Sequence, residues 1–68
     1  MFIYALYDHT SDSLCQFSIH LDDIDALSWY RECWSDDDRK DFDLLRIAYI
    51  KDSGFILNYD RFILIKEF

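Results

Sequence analysis

An apolar run near the start of the chain narrows the fold more than any other feature. Phe2-Ile3-Tyr4-Ala5-Leu6-Tyr7 is unbroken by polar residues and rich in aromatic and β-branched types. Such a run reads as a strand covered on both faces, and so as an internal strand of a sheet. The turn cluster Asp8-His9-Thr10-Ser11-Asp12-Ser13 follows it. Residues 14–21 then alternate, with Cys15, Phe17, Ile19 and Leu21 towards one face and Gln16, Ser18 and His20 towards the other. That pattern predicts a half-buried strand whose second face meets solvent. The two strands are expected to form a hairpin.

The period then changes. Asp22 or Asp23 is placed to cap a helix running to about Trp34, since either carboxylate can accept from the free amides of a first turn. Asp25 adds favourable charge at the same end. At 100° per residue Ala26, Leu27, Tyr30, Cys33 and Trp34 share one face, with Trp29 on its flank, while Asp25, Ser28 and Glu32 point away. Ser35-Asp36-Asp37-Asp38-Arg39-Lys40-Asp41 is a polar connector in which Ser35 is able to start a helical turn. Residues 42–50 return to strand character, Leu45, Ile47 and Tyr49 alternating with Leu44, Arg46, Ala48 and Ile50. Lys51-Asp52-Ser53-Gly54 is a hairpin turn, with the single glycine where a positive φ is needed. Residues 55–57 pair back, Asn58-Tyr59-Asp60 bulge or break the strand, and residues 61–68 supply its last segment.

The expected architecture is α+β, one domain spanning 1–68, in the order β-β-α-β-β. One helix packs on a largely antiparallel four-stranded sheet. A folding sum for 68 residues comes out near zero, so either the aromatic-rich packing is tight or a partner completes it. Tyr4, Tyr49 and Phe62 are expected on the sheet face away from the helix, where exposed aromatics favour a second copy of the chain or another protein.

Charge divides the chain. Residues 1–38 hold nine acids against Arg31, a net of -8, and residues 39–68 hold six bases and five acids, a net of +1. A field of that sign repels nucleic acid and anionic membrane and steers basic partners. No apolar run approaches the roughly 18 residues that cross a bilayer. The opening run lacks a basic start and a small-residue cleavage site, so a cytoplasmic protein is expected. Cys15 and Cys33 are too few for a secreted disulfide framework. They read as reduced thiols that meet in the core, strand against helix.

The candidate recognition residues are Asp22, Asp23, Asp25 and Glu32 on or near the helix, Asp36, Asp37 and Asp38 after it, and Trp29 at the edge of the apolar face. Carboxylates spaced along a helix and its following loop can imitate a row of phosphates, which proteins read with Lys and Arg. Helix capping and a solvated, solubilising surface account for the same acids. Trp29 suits an interface anchor or core packing equally. No metal or cofactor is expected: Asp36-Asp37-Asp38 lacks the alternating ligands of a calcium loop, and His9, Cys15, His20 and Cys33 make no paired-ligand spacing. Enzymatic chemistry is not expected either. Ser11, Ser13 and Ser28 have no evident base, and a single-layer sheet offers little depth for a pocket of about 300 Å³. Arg39, Lys40, Arg46, Lys51 and Arg61 beside Tyr49, Tyr59 and Phe62 outline a second option, a platform for single-stranded DNA. The interleaved Asp41, Asp43, Asp52 and Asp60 favour internal ion pairing instead.

The segment Asp41-Phe42-Asp43-Leu44-Leu45-Arg46-Ile47-Ala48, followed by Asp52-Ser53-Gly54 and Ile56, resembles a motif of gokushovirus-type nonstructural proteins, small proteins of single-stranded DNA bacteriophages of the microvirus group. Tyr4-Ala5-Leu6-Tyr7-Asp8 resembles their opening strand. Asp22-Asp23-Ile24-Asp25-Ala26-Leu27-Ser28-Trp29-Tyr30 resembles their acid-capped helix. The chain departs from that pattern in having no proline. The resemblance implies a non-virion, non-enzymatic accessory protein acting inside a bacterial host cell, and transfers no catalytic residues. Together with the acidic set it suggests binding to a basic surface on a nucleic-acid-handling protein, as an anti-CRISPR-like inhibitor or a replication regulator.

Overall fold

The computed structural model describes residues 1–57 and 63–65. Strands β1 (Phe2–Asp8) and β2 (Ser13–His20) lead into helix α1 (Asp23–Cys33) and the single turn α2 (Asp36–Arg39). Strands β3 (Phe42–Lys51), β4 (Gly54–Leu57) and β5 (Ile63–Ile65) follow. All pairings are antiparallel. As the apolar run predicts, β1 is internal, between β2 and β3. β4 pairs with residues 48–51 of β3 and β5 with residues 44–46, so the sheet is four strands wide and its last position is shared. Lys51 faces Gly54 across the two-residue turn, and Gly54 adopts φ +146°, which an L side chain rarely does. The expected break at Asn58-Tyr59-Asp60 lies outside the described residues, as do Arg61, Phe62 and residues 66–68.

Asp22 is the residue that caps α1, its Oδ1 accepting from the Asp25 amide at 2.9 Å. The helix buries Ala26, Leu27 and Tyr30 against Tyr4, Leu6 and Leu44 of the sheet. Leu6 and Leu44 are essentially inaccessible, and each contributes about 2 kcal/mol of apolar burial. Tyr4 belongs to this layer and is wholly buried, which corrects its expected place on the open face. Tyr49 is opposite Phe2, with the rings 5.6 Å apart. The thiols do not meet in the core. Cys15 is half-buried and Cys33 exposed, because α1 ends at Cys33 and Trp34, already extended, fills the space above Phe42 instead.

Two bulges overturn the expected strand faces. In β2 the register runs from Tyr4↔Ser18 to Leu6↔Cys15, so Gln16 and Phe17 together oppose Ala5. Gln16 takes φ +53° to make room. Cys15 therefore faces the helix layer, whereas Phe17 and Ile19 are 62% and 56% exposed and His20 is buried. In β3, Ile3↔Ala48 is followed by Tyr4↔Arg46, which leaves Ile47 as the extra residue. Ala48 then joins Ile47 and Ala5 in a second apolar cluster, flanked by Ile3, Leu14 and Leu45. Ala5 alternates with Tyr4 and Leu6, so this cluster lies on the sheet face away from α1. Among the described residues no helix is long and apolar enough to cross a membrane.

Candidate partner-binding site on the helical side

The start of α1 is woven into the sheet. Tyr4 donates its hydroxyl to Asp23 Oδ1 at 2.5 Å, and Arg46 Nη1 donates to both Asp23 oxygens at 3.1 and 3.2 Å. The Arg46 guanidinium also lies 4.8 Å from the centre of the Phe2 ring. Burial pushes the Tyr4 hydroxyl well above the ordinary tyrosine value, and its bond to the Asp23 carboxylate adds to the rise. Asp25 turns to the other flank of the helix, its Oδ2 accepting from His20 Nδ1 at 3.1 Å and from the Leu21 amide at 3.4 Å. His20 sits 5.0 Å from Trp29 and 5.6 Å from Tyr4, ring to ring, and its Nε2 has no hydrogen-bond partner among the described residues. Trp29 is half-buried and packs edge-on to Trp34 at 5.1 Å.

The far end of α1 is clamped by α2. Ser35 caps α2 by accepting from the Asp38 amide at 3.3 Å. Arg39 Nη1 donates to the Trp34 carbonyl at 2.6 Å and to the Arg31 carbonyl at 3.4 Å, satisfying oxygens that a helix end leaves open. Its Nη2 donates to Asp36, and Lys40 donates to Asp37 at 3.2 Å. Tyr30 donates to the Phe42 carbonyl at 2.6 Å, fixing the start of β3 below the helix. The Asp36 and Asp37 side chains nonetheless remain 90% and 91% exposed.

The sequence-predicted acids thus form two groups. Asp22, Asp23 and Asp25 surround the start of α1, where one caps, one holds Tyr4 and Arg46, and one holds His20. Glu32, Asp36, Asp37 and Asp38 lie near its other end and are all exposed. Residues 26–31 of α1 separate Asp25 from Glu32, a rise of about 10 Å along the helix. The i,i+3 pairs Asp36–Arg39 and Asp37–Lys40 were readable as spacing. The Asp23–Arg46 and Asp25–His20 contacts were not, because one spans 23 residues and the other depends on the β2 bulge.

Sequence alone suggests little depth for a pocket. The structure opens a groove of about 350 Å³ between α2 and the sheet, lined in part by Tyr30, Asp36, Arg39, Lys40 and Phe42. Of its charged walls, Arg39 engages Asp36, Lys40 engages Asp37 and Asp43 engages His9. Among the described residues no group of three His, Cys, Asp or Glu side chains is arranged to hold a metal ion. For the DNA-platform reading, Arg39, Arg46 and Lys40 engage carboxylates, Tyr49 is 43% exposed, and Arg61, Tyr59 and Phe62 lie outside the described residues. No family model matches the chain, and no match was found among curated proteins or solved structures.

Proposed function

We propose that this chain is a phage-type accessory protein that acts by binding another protein. Its exposed acids at the α1–α2 end, Glu32, Asp36, Asp37 and Asp38, meet a basic surface on a bacterial nucleic-acid-handling protein, either to inhibit a defence nuclease or to regulate phage DNA replication. The observation that carries this reading is the near-complete exposure of Asp36 and Asp37 although each is held by an internal cation. Such pairs orient a carboxylate without desolvating it, and surface pairs contribute only about 0–1 kcal/mol. A partner's arginine therefore displaces Lys40, itself 75% exposed, at little cost. Asp25 and Asp22 extend the anionic line from Glu32 by about 10 and 15 Å along α1, up to the rise of about four phosphates along one DNA strand. The microvirus-type resemblance of residues 41–48 supports a bacterial host for that encounter.

The experiment is capture from a bacterial lysate at low salt, with elution by duplex DNA or by raised salt. The expected result is a nucleic-acid-binding protein released by either eluent. Reversing charge in the triple variant Asp36→Lys, Asp37→Lys, Asp38→Lys should slow association with it about tenfold or more, since steering acts on the on-rate. Capture that is indifferent to salt and to the triple reversal refutes the acidic end as the binding surface.

A further inference from the structure

The sequence of β2 and its pairing pull in opposite directions. Cys15, Phe17, Ile19 and Leu21 alternate with Gln16, Ser18 and His20, a pattern that puts the apolar set on one face. The bulge breaks that order between Cys15 and Ser18. It does so at visible cost. Gln16 holds φ +53°. Phe17, Ile19 and Leu21 are 62%, 56% and 64% exposed, while His20 is buried and its Nε2 has no hydrogen-bond partner among the described residues. A conflict between local pattern and tertiary pairing brings a second packing close in free energy.

The ladder itself defines that packing. Sliding residues 16–20 by one position along β1 leaves Cys15 opposite Leu6. It sets Gln16 opposite Ala5, Phe17 opposite Tyr4, Ser18 opposite Ile3 and Ile19 opposite Phe2. Tyr4 and Phe2 pack in the layer beneath α1, so Phe17 and Ile19 turn under the helix and His20 turns out. Gln16 and Ser18 move to the open face, and the displaced residue passes into the bend at Leu21-Asp22. The hairpin turn does not change. β2 lies at the edge of the sheet and pairs with β1 alone, so only the ladder beyond Cys15 has to break. We propose that β2 is a register switch, whose second half exchanges between the bulged register and an unbulged one in which Phe17 and Ile19 trade faces with His20.

Contacts at the helix start hold the bulged register. Asp25 Oδ2 accepts from His20 Nδ1 at 3.1 Å and from the Leu21 amide at 3.4 Å, and slipping breaks both. Slipping also brings Phe17 to the place of Ser18, a much smaller side chain that is half-buried under α1. Against these stand the exposed apolar side chains and the positive φ of Gln16. Whatever grips Phe17 and Ile19 from outside draws the strand into the bulged register, and whatever takes the Asp25 carboxylate favours the slipped one. The proposal does not rest on the acidic-end reading, because both registers belong to the isolated chain.

Disulfide trapping in the purified chain tests it, with Cys15→Ala and Cys33→Ala as background. Ile3→Cys with Ser18→Cys sets two thiols opposite each other in the slipped register alone. In the bulged register they point to opposite faces, beyond the roughly 3.8 Å between Cβ atoms that a disulfide requires. Phe2→Cys with Ile19→Cys is a second slipped-register pair, on the helix side. Ile3→Cys with Ile19→Cys matches the bulged register. In a glutathione redox buffer both slipped-register pairs should close, about tenfold or more slowly than the matched pair, as befits a minor state, with circular dichroism native before oxidation. Deleting Gln16 removes the residue that the bulge absorbs. Slipping would then drag Leu14 and position 15 to opposite faces, so closure of these pairs should slow about tenfold or more. Asp25→Ala should speed it about threefold by removing the acceptor for His20. A slipped-register pair that stays open in a folded variant overturns the proposal. So does closure that Gln16 deletion leaves unchanged, which reports fraying of the edge, or closure that Asp25→Ala does not speed.

Discussion

Replacing Tyr4 with phenylalanine isolates one bond at the centre of the fold. The ring is wholly buried and its volume is unchanged, so the variant loses only the hydroxyl that donates to Asp23. Hydrogen bonds to charged groups contribute about 1.5–3 kcal/mol. Asp23 is 39% exposed and keeps Arg46 as a second donor, which places the loss near the lower end, about 1.5 kcal/mol at neutral pH. For a domain of this size that lowers Tm by about 6–12 °C. The pH dependence is the sharper reading. Tyr4 titrates above its unfolded value of 10.0, so the folded state retains a proton that the unfolded chain has lost. Its stabilisation is complete below pH 10 and declines above it, by about 1.4 kcal/mol per pH unit. The wild type, about 1.5 kcal/mol ahead at pH 7, should therefore meet the Tyr4→Phe variant near pH 11 and fall behind it beyond. Urea unfolding followed by tryptophan fluorescence between pH 7 and 11.5 reads both. Stability curves that stay parallel through pH 11 refute the account, because the hydroxyl would then titrate alike in the folded and unfolded chain.

The β2 bulge and the thiols give two further expectations. Gln16→Gly should stabilise the fold by about 0.5–1 kcal/mol by relieving the φ of +53°, and Gln16→Val should destabilise it by about 1 kcal/mol or more, both read from thermal melts. Cys33 should react with a small alkylating reagent well before Cys15 at neutral pH, because Cys33 is exposed and burial, followed by the nearby Asp8 carboxylate, raises the Cys15 thiol. Mass spectrometry of a time course checks the order, and equal rates contradict the assigned environments.

How much of this was legible in the residues depends on whether the signal was local. The internal position of β1, the Gly54 turn and the Ser35 cap each rest on a few adjacent residues and stand as read, and of the two acids offered as the α1 cap the structure uses Asp22. The faces of β2 and β3 rest on strict alternation, which one extra residue reverses. Gln16 and Ile47 are ordinary strand residues, so neither bulge announces itself in the sequence. The acids divide in the same way. Asp36 and Asp37 pair within α2, where spacing predicts it, while Asp23 and Asp25 find partners that only the assembled sheet supplies.

The two bulges also connect the core to the sheet face away from α1. Were residues 14–21 to alternate strictly, Phe17, Ile19 and Leu21 would share the face of Cys15 against α1, and His20 would meet solvent. With the bulge, His20 enters beneath Trp29, where Asp25 can hold it, and Phe17 and Ile19 are turned outward. By absorbing one residue, the bulge gives this sequence a polar tie for the helix start and an exposed apolar rim at the same time. Deleting Gln16 should remove the bulge and keep both. With Gln16 gone, Phe17 alone opposes Ala5 while Cys15, Ser18 and Ile19 keep their partners, so His20 should keep its Asp25 contact and Phe17 and Ile19 should stay exposed, as NMR contacts would read. A variant lacking Gln16 in which Phe17 becomes buried and His20 leaves Asp25 would refute this account of the register.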